Sequence, residues 1–209
     1  MRVKQRLKFP RPAAGHVFLE PVNRQIMGSL ALLKSKIVVV PMGEADFMLV
    51  NRLAADIGPV FNRSVDILKG IKMPTEAHNL IRNQYYATVI LSKLERTKAN
   101  SRERVIAICE EDLYIPSRAY ILGHSDNLAG TAVVSLYQIR QEFYGLPEDE
   151  GKVYPRLFKE AVLQMAHIFE VSACRNPKCV NFKSELMLDI DSKGEKFCDI
   201  CRRQLTGIS

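Results

Sequence analysis

Four of the five cysteines stand close together near the C-terminal end, as Cys174-x4-Cys179 and, after a gap of eighteen residues, Cys198-x2-Cys201. Tetrahedral zinc takes four thiolates at about 2.3 Å, and two short knuckles deliver two ligands each at small entropic cost. Pro177 helps the first knuckle to turn. Sulfur would fill every coordination position, leaving none for water or substrate, so the expected cofactor is one structural zinc ion. Disulfides are the competing use of such cysteines, and they belong to oxidising compartments. No stretch approaches eighteen consecutive apolar residues, and the basic start MRVKQRLKFPRP lacks the apolar run and cleavage site of a signal peptide. The expectation is a cytoplasmic chain with reduced thiols and no membrane partner. Cys109 lies in an apolar run far from the other four and reads as an inert buried thiol.

The remaining candidates for chemistry are scattered. His16, His78 and His124 lie far apart, with no ligand spacing, and His124 follows Gly123 in an expected turn. His167 shares a helix face with Glu160 and Glu170. A metal site rebuilt from them is one reading of that face, and a local hydrogen bond or solvated pair is the other. Residues 1–36 carry eight basic side chains against Glu20 alone, a surplus equal to the net charge of +7 on the whole chain. Such clustering suits a polyanion or a solvated face, and it lacks the interleaved aromatics of a base-stacking platform.

These groups need a scaffold to hold them. With 209 residues, 47% of them hydrophobic, the chain can bury a substantial core. One domain over 1–209 is expected, with a basic N-terminal segment at 1–15 and a zinc subregion at 174–205. A short apolar run at 16–19 and a helix at 22–33 open the pattern, and the β-branched stretch 36–41 stops at Pro41 as a buried strand. Phe47, Val50, Leu53, Ala54 and Ile57 recur at helical spacing until Gly58-Pro59, after which 60–68 reads as a strand. A helix is expected over 84–96 with Tyr85, Val89 and either Leu91 or Ser92 turned inward. Strands follow at 104–109, 120–122 and 131–136, so about five strands alternate with helices in an α+β, or α/β-like, layered domain. After Pro155, a long helix over 156–172 turns the stripe Phe158, Val162, Met165, Ala166 and Phe169 toward the sheet. Its other side presents Glu160, Leu163, Gln164, His167 and Glu170.

A helix running directly into Cys-x4-Cys…Phe-Cys-x2-Cys, preceded by Asp112-Leu-Tyr-Ile-Pro116 and Gly130-Thr-Ala-Val-Val-Ser-Leu136, resembles the archaemetzincins, zinc metallopeptidases of the metzincin type. Gln84-Tyr-Tyr-Ala-Thr-Val-Ile-Leu91 is similar to the family's helix before its central strands, so the resemblance covers most of the chain. It implies a metzincin-type fold whose long helix once carried an active site. The family pattern is HExxHxxGxxHC: three histidines hold a catalytic zinc, the Glu is the general base, and four cysteines hold a second zinc. Counted back from Cys174, Leu163 stands at the first His, Gln164 at the Glu and Ala173 at the third His. Only His167 matches; Glu170 replaces the Gly and Asn181 the Met beneath the site, while Asp191, Lys193 and Phe197 still match the loop between the knuckles.

Leucine and alanine donate nothing to a metal, and one imidazole cannot hold the ion against water. Glutamine has no titratable proton, and losing a general base alone costs roughly 10²- to 10⁴-fold in rate. The leading expectation is a catalytically silent member with no catalytic zinc, whose vestigial cleft binds a peptide or protein. Its rivals are a metallopeptidase with relocated ligands and a zinc-ribbon protein that binds nucleic acid through the basic N-terminal segment.

Overall fold

The computed structural model describes residues 35–207, so the expected basic segment at 1–15, apolar run at 16–19 and helix at 22–33 lie outside the described residues. The chain divides into two units, Met1–Leu33 and Lys34–Ser209, and everything below belongs to the second. Its frame is a five-stranded sheet in the order β2-β1-β5-β9-β8, built from β1 (Lys36–Pro41), β2 (Val65–Ile67), β5 (Glu103–Cys109), β8 (Gly123–Asp126) and β9 (Thr131–Ser135). The first four in that order are parallel, and β8 runs antiparallel to β9 at the edge. A smaller sheet has the order β3-β4-β6-β7, from β3 (His78–Asn79), β4 (Gln84–Tyr86), β6 (Leu113–Ile115) and β7 (Arg118–Ile121).

Alternation along the central strands divides the core. Ile37, Val39, Ile106, Ile108, Ala132 and Val134 face one side, where α1 (Phe47–Phe61) and α3 (Glu150–Ile168) cover them. Val38, Val40, Val105, Ala107, Cys109 and Val133 face the other, covered by α2 (Ala87–Glu95). Burial on both faces explains why these strands read as continuous apolar runs. Cys109 is fully buried, and that burial pushes its thiol well above its ordinary range, as expected of an inert core residue.

Several boundaries differ from the sequence reading. Helix α1 is capped by Asp46, whose carboxylate accepts from the Met48 amide at 2.7 Å, and it passes through Gly58-Pro59 to end on Asn62 at φ 52°. Phe61 stacks on Phe169 at 5.0 Å and meets Phe197 edge-on at 6.0 Å, so burying that ring outweighs the one hydrogen bond Pro59 cannot give. The strand expected over 60–68 therefore shrinks to Val65–Ile67. The helix expected over 84–96 begins only at Ala87, because the Tyr85 backbone amide donates to the Asp112 carbonyl at 2.8 Å and the Gln84 side-chain Nε2 to Asp112 Oδ2 at 2.8 Å, holding 84–86 extended. Its inward residues are Ala87, Ile90, Leu91 and Leu94, while Ser92 is exposed. Helix α3 starts six residues earlier than expected, with Pro155 inside it, since Val153, Tyr154 and Leu157 are buried on both sides of the proline. His124 lies within β8, half-buried, not in a turn.

Candidate metal centre and cleft

Helix α3 ends in a reversal that delivers the first knuckle. The Glu170 amide donates to the His167 carbonyl at 2.9 Å and the Val171 amide to the Ala166 carbonyl at 2.9 Å, a Schellman arrangement with Glu170 at φ 60°. The helix therefore stops at Ile168, short of 172. Glu170 adopts the left-handed backbone for which glycine is the usual residue.

The four cysteine sulfurs all lie within 4.8 Å of one another, and Cys174 Sγ and Cys198 Sγ are 3.7 Å apart. Zinc with Zn–S bonds of about 2.3 Å spaces its sulfurs by roughly 3.8 Å, so the cradle fits a tetrahedral ion. Cys179 and Cys201 are buried; Cys174 and Cys198 are half-buried and line a cavity of about 440 Å³ with Ala173 and Ile200. Backbone and amide donors already point at the sulfurs: the Cys198 amide lies 3.2 Å from Cys179 Sγ, the Asn176 amide 3.4 Å from Cys174 Sγ, and Asn181 Nδ2 3.5 Å from Cys201 Sγ. At the start of α5 (Asp199–Gly207), the Cys201 backbone amide pulls the Cys198 thiol down to about 7, whereas burial pushes Cys179 and Cys201 up. Gly194 lets the knuckles close, because a Cβ there would lie 2.9 Å from the Lys178 carbonyl.

The stripe on α3 does pack on the sheet, but its other side is not the polar surface expected. Glu160, Leu163 and Gln164 are 1%, 2% and 6% exposed. Strand β8 crosses so closely that a Cβ at Gly123 would lie 3.0 Å from Gln164 Cγ and 3.1 Å from Glu160 Oε1. Leu163 is thus a core residue, and Gln164 donates its amide to Glu160 Oε1 at 2.8 Å. Only the end of this face opens, into a cleft of about 470 Å³ lined by Ser125, Asn127, His167, Glu170, Val171 and Ser172. His167 Nδ1 lies 3.5 Å from Ser125 Oγ, and burial, aided by the Lys193 charge, holds the ring below its ordinary value. Ala173 is exposed on the neighbouring cysteine cavity. The four aligned positions thus have different surroundings: Leu163 is buried, Gln164 is bonded to Glu160, His167 lines the cleft and Ala173 lines the cysteine cavity. Among the described residues, the four cysteines are the one group of three or more such donors close enough to share a metal.

Beneath the cleft runs a buried polar network that the sequence reading missed, since nothing periodic marks its members. Lys193, 3% exposed, donates to the Phe182 carbonyl at 3.0 Å and to Ser184 Oγ at 2.7 Å, and Ser184 donates to Glu160 Oε2 at 2.9 Å. Burial pushes Lys193 down to about 8 despite the nearby Glu160 carboxylate. Arg156, 2% exposed, grips Asp191 with two bonds of 2.7 Å. That pair fastens α4 (Met187–Ser192) to α3.

Comparison with known proteins accords with this geometry. Residues 52–207 match Peptidase family M54. The Archaemetzincin of Pyrococcus furiosus is 31% identical, over 83% of this chain and 93% of its own length. That of Methanocaldococcus jannaschii is 29% identical, over 81% of this chain and 92% of its own. Among solved structures, a zinc-dependent peptidase from Methanocorpusculum labreanum superposes with a TM-score of 0.72 at 24% identity, covering 81% of this chain and 99% of that one. Archaemetzincin from Methanopyrus kandleri gives 0.71 at 25% identity, covering 83% and 95%.

Proposed function

Because this chain belongs to peptidase family M54, the family of the archaemetzincins, we propose that it is a member without hydrolytic activity, which keeps a structural zinc on Cys174, Cys179, Cys198 and Cys201 and binds an extended peptide without cutting it. The observation that carries this reading is the fate of the helix positions. Leu163 is packed in the core, and Gln164 spends its amide on Glu160. Metal-assisted hydrolysis needs a bound water, a base to deprotonate it and at least three protein ligands. His167 alone supplies one imidazole.

What supports peptide binding is the sheet edge. Among the described residues β8 is the terminal strand of the sheet, paired with β9, the kind of edge to which an extended peptide adds as a further strand. Ser125 and His167 lie beside it with a hydroxyl and an imidazole that can orient a peptide carbonyl or amide. No helix of the described residues is long and apolar enough to cross a membrane. We place the protein in the cytoplasm, where reduced thiols remain available to zinc.

Elemental analysis of purified protein should find about one zinc per chain, and a peptide library incubated with it should remain uncut. Titration with uncleaved peptides should shift the amide resonances of Gly123–Asp126. A second zinc per chain, with hydrolysis abolished by His167→Ala, would instead establish the relocated-ligand enzyme.

A further inference from the structure

A run of hydrogen bonds leads from Lys193, in the segment between the two cysteine knuckles, to the buried face of α3 against which β8 is seated. Lys193 lies in the segment between Cys179 and Cys198, and that segment is tied at both ends to the knuckles: the Val180 amide donates to the Lys196 carbonyl at 3.0 Å and the Gly194 amide to the Lys178 carbonyl at 3.0 Å. From Lys193 Nζ the run passes through Ser184 Oγ at 2.7 Å to Glu160 Oε2 at 2.9 Å, and from Glu160 Oε1 to Gln164 Nε2 at 2.8 Å. Glu160 and Gln164 are the groups against which Gly123 of β8 is seated. Lys159 completes the surroundings, its ammonium donating to the Ile190 and Lys193 carbonyls at 2.7 and 3.2 Å.

We propose that Lys193 is the positioning residue through which a metal on the four cysteines orders the cleft between β8 and α3. The metal cross-links the two knuckles and so fixes the segment that carries Lys193. With the knuckles released, Lys193 loses its station under Ser184, and Glu160 is left as a buried charge held only by neutral donors. Such a charge is costly away from water, so the helix face and the strand over it loosen to admit solvent. This coupling holds whether or not the cleft binds a peptide, because it concerns the cleft's order and not its occupant.

Hydrogen exchange of the full chain tests it. Chelating the metal should speed exchange by about tenfold or more in Gly123–Asp126 and in 160–167, as well as in 174–207, while Lys36–Pro41 stays protected. Lys193→Met, still holding about one zinc, should speed exchange in Gly123–Asp126 and 160–167 alone. Chelating that variant should then release 174–207 but add little in Gly123–Asp126, a non-additivity that a merely destabilising substitution would not produce. Exchange confined to 174–207 on chelation, exchange spread evenly through Lys36–Pro41, or additive effects of chelation and Lys193→Met would each overturn the proposal.

Discussion

Glu170 keeps a left-handed turn, at φ 60°, without the conformational freedom of glycine. An L side chain there costs about 1–2 kcal/mol, part of which glycine returns through the entropy of its unfolded state. Glu170→Gly is therefore expected to stabilise the fold by about 0.5–1 kcal/mol, read from the urea midpoint at unchanged slope. Asn181, 1% exposed, donates to Cys201 Sγ and to the Ser172 carbonyl, steadying a thiolate that burial disfavours. Asn181→Met removes the donor to Cys201 Sγ and should weaken zinc binding by roughly 10-fold or more in competition with a chelating dye. His167 is held below its ordinary 6.5 by burial and by Lys193, and His124 below it by burial. As pH falls below 6.5 the unfolded chain takes up these protons before the folded one does, so the stability contributed by the neutral rings is full above that value and is lost toward their lower folded values. His167→Gln should flatten the fall in stability below pH 6.5, measured by urea denaturation at a series of pH values.

At the scale of elements, α3 determines what reconstruction of the peptidase pattern would require. Gln164→Glu places a second carboxylate where an amide now donates to Glu160 at 2.8 Å, so the two would share one proton in the folded state. A carboxyl whose folded pKa is raised contributes stability below its unfolded value and loses it as pH rises. The variant should match the parent near about pH 4 and fall behind by roughly 1–3 kcal/mol at about pH 7, with no gain in peptide hydrolysis. If its stability paralleled the parent's across that range, Glu160 would not be the partner described. The combined change Leu163→His, Gln164→Glu and Ala173→His supplies the family's ligand types along α3 and the turn that follows it. It should raise zinc toward about two per chain. Hydrolysis requires in addition that Glu160 release the new base.

For the molecule as a whole, the cysteine centre closes the C-terminal region onto the core through Phe61, Phe169 and Phe197. Structural zinc contributes on the order of 10–16 kcal/mol in isolated fingers, and if only about 3–5 kcal/mol of that reaches this domain, chelation should lower its Tm by roughly 10 °C or more. Cys198→Ser should do the same, whereas Cys109→Ser, in a fully buried strand, should leave the zinc content unchanged. The sequence by itself determined the ligand set of the metal cradle, because each short cysteine spacing confines a pair of sulfurs and the two pairs together supply four thiolates. It also determined the central strands, since burial on both faces writes an apolar run at 36–41 and 104–109, and the chemistry missing at Leu163 and Ala173, since a side chain without donor atoms has none in any fold. Only the tertiary structure decided that α1 passes through Pro59, that 84–86 pair as a strand, that the far face of α3 is buried, and that Lys193, Ser184, Glu160 and Gln164 form one network. Each of those depends on partners distant in sequence, such as Phe61 with Phe197, Tyr85 with Asp112 and Ser184 with Glu160. Their free energy lies in contacts that no local spacing encodes, so it becomes legible only when the chain has folded.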